Sequence, residues 1–256
     1  MENVILFGGI AETGEIVRGL LDGNAEVLLV TATDEPLAIP DDPRLRRRPG
    51  RLDVEGMIAL IRAEEIAVIV VAAHPYAVEL ERNAIRAAAA CDLPIHLYRR
   101  PNLDPPLPPD AQRAATHDEA ASLAVRSGRP ILLTIGSQHV ATYAREAVRR
   151  GVELHARVLD RPESIRACRD AGIPTGRIIA HRGAVAEEEN RRQIRDRAIG
   201  VLVMKESGGQ GGEREKIRAA VAEKCRLIVV TRPAPVSLPE GAKTYDSPSA
   251  LIAAIN

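Results

Sequence analysis

Unbroken apolar runs at residues 4–7, 27–30, 68–72 and 95–98 alternate with stretches at 11–21, 53–64 and 76–91 whose apolar positions recur at helical spacing. Runs this short and apolar on both faces read as strands of a parallel sheet, and the periodic stretches read as helices covering it. The opening part of the chain is therefore predicted as β-α-β-α-β-α-β.

A proline-rich segment at 101–109 breaks the pattern. Proline removes backbone donors and restricts φ, so this stretch is expected to be an extended linker. The alternation then resumes, with helices at 118–126, 139–150, 163–171, 187–197 and 213–224 and strands at 131–135, 153–158, 177–180, 199–204 and 227–231. A last helix starts at Ser247 as N-cap with Pro248 in first position. The fold expected is α/β, with two Rossmann-like (flavodoxin-like) parallel-sheet domains, residues 1–112 and 113–256, and an interdomain cleft.

Composition narrows the chemistry. Lys plus Arg and Asp plus Glu stand at 35 each, which leaves no net field to draw the chain onto nucleic acid or a membrane surface. Aromatic residues make up 2%, too few for a base-stacking platform. Cys91, Cys168 and Cys225 are isolated and read as small hydrophobes. No Cys/His cluster suggests a metal, and no G-x-S-x-G elbow suggests a hydrolase. Residue 1 leads almost directly into a strand, and no apolar run could span a bilayer, so a cytoplasmic location without membrane association is expected.

The chemistry-bearing residues fall at predicted strand ends, where open parallel sheets bind ligands. Gly8-Gly9-Ile10-Ala11-Glu12 follows the first strand at the position of a phosphate loop, although it does not match G-x-G-x-x-G; an ordinary tight turn is the alternative. Asp34, after the second strand, is a ribose-hydroxyl acceptor candidate, and NADH versus NADPH stays open. His74 follows the third strand as a proton-donor candidate or a structural histidine. Arg100 follows the fourth. In the second half Gly136-Ser137-Gln138-His139, His181-Arg182-Gly183 and Arg232-Pro233 stand at strand ends. Lys205-Glu206-Ser207-Gly208-Gly209-Gln210-Gly211-Gly212 joins a strand to a helix, so its glycines and the helix dipole suit an anion, the alternative being a surface turn. The run 44–48 reads as solvated surface, the alternative being that it helps to bind a polyanion.

In order and spacing these segments resemble the precorrin-6A reductase family of corrin-ring biosynthesis, including its cobalt-precorrin-6A branch. The segments are Gly8-Gly9-x-x-Glu12, Ala73-His74-Pro75-Tyr76-Ala77, Arg100-Pro101, Leu133-Thr134-Ile135-Gly136, Arg182-Gly183 with Glu187 and Asn190, Val203-Met204-Lys205-Glu206-Ser207-Gly208-Gly209 followed by Lys216, and Arg232-Pro233. Ile10 and Ala73 stand where the family has threonine, and Ala184-Val185 where it has Pro-Phe.

The resemblance implies NAD(P)H-dependent reduction of one double bond of a tetrapyrrole-derived polycarboxylate macrocycle, precorrin-6A or its cobalt form. Under it Gly8, Gly9, Ile10, Glu12, Ser207, Gly208 and Gly209 hold the NADPH or NADH cofactor. Arg100, His139, Arg182 and Arg232 meet substrate carboxylates, while Lys205 and His74 serve the reaction. The competing readings are a non-catalytic two-domain anion- or nucleotide-binding protein and a sugar or phosphate transferase.

Overall fold

A computed structural model describes residues 2–101, 107–207 and 212–256. The chain forms two compact units, one of 1–101 with 233–256 and the other of 102–232. The C-terminal segment therefore belongs with the first unit, where the sequence pattern had assigned it to a second domain running from 113 to the end. Its short strand is the reason, and it is described below.

The sheet of the first unit comprises β1 (Asn3–Gly8), β2 (Glu26–Thr31), β3 (Leu45–Pro49), β4 (Val68–Val71), β5 (Ile95–Tyr98) and β12 (Lys243–Tyr245). Their order is β12-β5-β4-β1-β2-β3, and every pairing is parallel. Read from β3, this is the 3-2-1-4-5-6 order of the Rossmann plan, with its sixth position filled from the far end of the chain.

Helices α1 (Thr13–Asp22), α2 (Val54–Ala63), α3 (Val78–Cys91) and α9 (Pro248–Ala253) cover the sheet. Side chains alternate across β1 because successive strand residues face opposite sides. Val4 and Leu6 pack with Ile16, Val17 and Leu20 of α1, whereas Ile5 and Phe7 pack with Met57 and Ile61 of α2 and Ala84 and Ala87 of α3.

Two elements of this sheet escape the hydrophobic pattern. Residues 44–48, read as solvated surface, lie largely in edge strand β3. Its Leu45 packs on the α1 side, while Arg44, Arg46 and Arg47 pair with Asp42 at 2.7 Å, Glu64 at 2.6 Å and Asp34 at 3.4 Å. An edge strand has one neighbour and tolerates charge. Strand β12 has three residues and is exposed at Lys243 and Thr244. Hydrogen-bonded pairing with β5 holds it, assisted by a 2.9 Å bond between Tyr245 Oη and His96 Nδ1.

The second unit repeats the plan. Its strands are β6 (Gln112–Ala114), β7 (Ile131–Leu133), β8 (Leu154–Leu159), β9 (Ile178–His181), β10 (Val201–Lys205) and β11 (Arg226–Val230), in the all-parallel order β6-β11-β10-β7-β8-β9. From β7 onward the winding is again 3-2-1-4-5, with β6 at the sixth position. Helices α4 (His117–Ala124), α5 (Val140–Arg150), α6 (Pro162–Asp170), α7 (Glu187–Asp196) and α8 (Glu213–Ala222) make the crossovers. Among the described residues, no helix is long and apolar enough to cross a membrane.

The last helix tests the assignment of the C-terminal segment. Ser247 Oγ caps it by accepting from Ala250 N–H, and Leu251 is fully buried in the α1-side cluster of the first unit. Leu251→Ala is expected to cost about 2–5 kcal/mol, the range for truncating a buried leucine. Urea unfolding of the variant beside the parent protein measures it.

Candidate functional site

In each sheet the winding changes direction beside the first strand of the plan, between β1 and β4 and between β7 and β10. At these points the connections leave toward opposite sides and open a crevice outside the strand ends. Gly8-Gly9, His74, Gly136 and Lys205 follow the strands that flank these points.

In the first unit the loop after β1 and the loop after β4 bring Gly8-Gly9 and His74 to one crevice. Gly9 has φ +118°, which disfavours any side chain, and open space lies where its Cβ would be. At Gly8 a Cβ would stand 2.9 Å from Thr13 Cγ2, so glycine lets α1 start tight against the strand. The buried Thr13 hydroxyl accepts from Gly9 N–H at 2.9 Å and Ile10 N–H at 3.0 Å and so shapes the turn. The Ile10 side chain is buried in the α1-side core.

Glu12 and Arg100 face each other. Arg100 Nε donates to Glu12 Oε1 at 2.7 Å, a second guanidinium nitrogen bonds Oε2, and Tyr98 Oη donates to Oε1 at 3.3 Å. Burial would raise the Glu12 carboxyl, but the hydrogen bonds and charge of Arg100 outweigh it and hold the group below its ordinary value. Burial, with Glu12 beside it, pushes the Tyr98 phenol up to about 12. The pair ties the end of β5 to the loop after β1. Arg100 thus has a structural partner at the position where a substrate contact was expected.

His74 precedes α3, and its ring Nδ1 accepts from Tyr76 N–H at a long 3.4 Å. Beyond β2, Arg47 reaches across from β3: Nη2 donates to the Thr33 carbonyl at 3.2 Å, while Nη1 lies 3.4 Å from Asp34. Its Nε is buried without a hydrogen-bond partner. The sequence showed no arginine at this loop because Arg47 arrives from the neighbouring strand.

In the second unit Lys205 ends β10 and His139 caps α5, and both lie near His117 at the start of α4. The His117 and His139 rings stack with centroids 3.9 Å apart, and His117 Nδ1 lies 2.9 Å from Tyr143 Oη. Burial lowers the Lys205 amine. Burial first, then His139 and Lys205, pushes His117 down to about 4. His139 is lowered by burial and by Lys205, against an opposing effect of Asp118. The cluster therefore keeps its imidazoles neutral beside a desolvated amine. His117 went unnoticed in the sequence because β6, the strand that it follows, has only three residues and shows no apolar run.

The other candidates are placed separately. Ser207 is buried, and Gly208 and Gly209 lie outside the described residues. Arg232 donates through its backbone N–H to Glu206 Oε2 and through Nε to the Glu206 carbonyl, both at 3.1 Å. Glu206 also pairs with Arg113, so it pins the start of the Gly-rich loop to β6. Arg182 is exposed and lies 3.4 Å from Asp160.

The family described as precorrin-6x reductase CbiJ/CobK matches residues 3–256. The chain belongs to this family. It is 32% identical over 257 residues to the precorrin-6A reductase of Rhodococcus erythropolis, covering 99% of this chain and 97% of the relative. It is 30% identical over 238 residues to the cobalt-precorrin-6A reductase of Salmonella typhimurium, covering 91% and 89%. Identity this even across the two branches does not separate them. A solved structure described as CobK precorrin-6A reductase superposes with a TM-score of 0.80 at 22% identity, over 100% of this chain and 96% of the other, which shows the shared fold.

The His117 cluster gives the unit a pH dependence. A histidine whose folded pKa lies below its unfolded value is stabilising when neutral; the unfolded chain binds its proton first, so stability falls as pH drops. For His117 the window runs from 6.5 down to about 4. Urea unfolding across that window is expected to show a shallower pH slope for His117→Asn than for the parent protein; equal slopes would show that His117 titrates normally.

Proposed function

We infer that this chain reduces one double bond of precorrin-6A, or of cobalt-precorrin-6A, to the 6B form in cobalamin biosynthesis. The observation that carries this reading is the family match over nearly the whole chain, joined to two sheets that each have a ligand crevice at the winding reversal. The reduction adds a hydride to one ring carbon and a proton to its neighbour, and the nicotinamide cofactor supplies the hydride when bound.

The residues of the first crevice fit such a nucleotide. Gly9 offers an open backbone at the phosphate-loop position, and Arg47 offers a buried unsatisfied nitrogen beside the loop where the Rossmann plan puts the adenosine ribose. Asp34 alone would favour a free ribose hydroxyl. With Arg47 beside it at 3.4 Å, and 80% exposed, Asp34 is a weak competitor for the guanidinium. A ribose 2′-phosphate would engage the same fork through charge-assisted bonds. This favours NADPH over NADH.

In this reading His74 would supply the proton, from Nε2 of an imidazolium. Its formation would cost the bond that Nδ1 accepts from Tyr76 N–H, a small loss at 3.4 Å. Lys205, with an amine already desolvated, would hold a substrate carboxylate, whose charge would oppose the effect of burial on the amine. Positioning of the ring against the reductant by these groups would account for much of the rate.

Anaerobic turnover with precorrin-6A and separately its cobalt form, followed by nicotinamide absorbance, tests the reading. Oxidation that requires the macrocycle is expected. Ligand uptake by folded protein without oxidation would instead favour a binding protein. For cofactor choice, Arg47→Met is expected to raise the KM for NADPH about 10- to 100-fold, the equivalent of one charge-assisted contact, while leaving NADH little changed. An equal effect on both nucleotides would remove Arg47 from phosphate recognition. Lys205→Ala is expected to lower kcat/KM for the macrocycle in a protein that still folds, and unchanged kinetics would exclude Lys205 from the site.

A further inference from the structure

The second unit contains a cavity of about 160 Å³ whose lining includes Thr134, Gly136, Arg157, His181, Gly183 and Lys216. It opens beyond the ends of β7 and β9, beside the winding reversal. None of the described residues that line it is acidic.

Arg157 lies on β8 and is 7% exposed. Its Nη1 donates to Asn190 Oδ1 at 2.8 Å and to Gln193 Oε1 at 2.9 Å, both on α7. No carboxylate of a described residue forms an ion pair with it. One nitrogen of the fork is thus committed to neutral amides, and a buried cation solvated by neutral groups alone is costly. Burial pushes the guanidinium down to about 10, against a weak opposing effect of Glu189.

Lys216 on α8 is 9% exposed. Burial, with the charges of Arg157 and Lys205, outweighs Glu213 and Glu215 and pushes its amine down to about 8. At the rim His181, the last residue of β9, presents a buried Nδ1 with no hydrogen-bond partner. The cavity thus brings together a buried guanidinium with no described carboxylate partner, an unpartnered imidazole nitrogen and a second desolvated cation.

We propose that this cavity is an oxyanion site in which the Arg157 fork, Lys216 Nζ and His181 Nδ1 receive one terminal carboxylate or phosphate group. Its volume decides how much of a ligand enters. Pockets that enclose whole small molecules span roughly 300–1,000 Å³, so this cavity takes an arm of a ligand rather than the body. The identity of that arm rests on the reductase reading, which offers the carboxylates of the macrocycle and the phosphates of the nucleotide; the oxyanion chemistry is common to both.

Lysine is rare enough to report on the site directly. The chain has Lys205, Lys216, Lys224 and Lys243, so protein labelled with ¹³C at lysine Cε has few resonances, and that of Lys216 is the one missing from Lys216→Met. Saturable displacement of this resonance by propionate or by inorganic phosphate is expected, with an upward shift in its pKa and loss of the response in Arg157→Lys, which keeps a charge but not the fork. A Lys216 resonance that ignores both anions, the macrocycle and the nucleotide overturns the site, whatever the protein's activity. An anion response without macrocycle-dependent nicotinamide oxidation keeps the site and removes the reductase reading.

The source of the group follows from binding to Arg157→Lys and Lys216→Met, each first shown by circular dichroism to be folded. A macrocycle Kd raised about 10- to 100-fold with nucleotide Kd unchanged assigns a carboxylate arm, and the reverse assigns a phosphate. Unchanged affinity for both ligands in both folded variants also overturns the proposal.

Discussion

The handedness of parallel crossovers governs where chemistry can occur in this protein. Successive parallel strands are joined by right-handed connections, so a sheet that grows first one way from its starting strand and then the other must send its helices to opposite faces. The crevice left at the reversal lies outside the carboxyl ends of the strands. In one unit the reversal separates the Gly8-Gly9 turn from the His74 turn. In the other it separates Gly136 from Lys205. Residues far apart in sequence become neighbours in each crevice because of winding rather than local pairing.

Buried charge at these edges is handled in two ways. Glu12 and Arg100 satisfy one another with matched geometry, and Tyr98 supplies a further donor, so the pair can brace the turn after β1 without a ligand. Arg157 receives only neutral amide oxygens, and Lys216 and Lys205 both carry depressed amines. The first arrangement suits a scaffold. The second keeps the Arg157 guanidinium away from water with no carboxylate partner among the described residues, which structure alone seldom requires.

Much of the fold was legible because parallel strands announce themselves as unbroken apolar runs between amphipathic helices. The elements that escaped were short edge strands. Leu45–Pro49 carries three consecutive arginines, and Lys243–Tyr245 and Gln112–Ala114 are too short for any periodicity; pairing with a neighbouring strand alone defines them. That loss concealed the return of the chain to the first sheet and hence the division into units. Candidate residues could be picked out from the sequence where they follow a strand end directly, as at Gly8-Gly9, His74 and Lys205. No such signal marks a side chain that arrives laterally, as Arg47 does from an edge strand and Arg157 from within β8, and His117 follows a strand too short to be seen. Strand-end position alone also does not say which arginines already have a protein partner, as Arg100 has Glu12 and Arg182 faces Asp160.

The scarcity of aromatic residues bears on how a chain of this family holds its substrate. With no tryptophan and one phenylalanine, and that Phe7 buried in the first sheet, broad stacking against a large ring has little material. Charge at the periphery must then supply more of the orientation, and it does so best where it is desolvated. An exposed arginine such as Arg182 adds little through salt-screened water. A guanidinium already stripped of water, held in one orientation by Asn190 and Gln193, meets an oxyanion without further ordering and loses its unfavourable solvation as it does so. Preorganised buried cations can therefore replace aromatic contact, provided that the ligand carries several anionic arms, as a polycarboxylate macrocycle does.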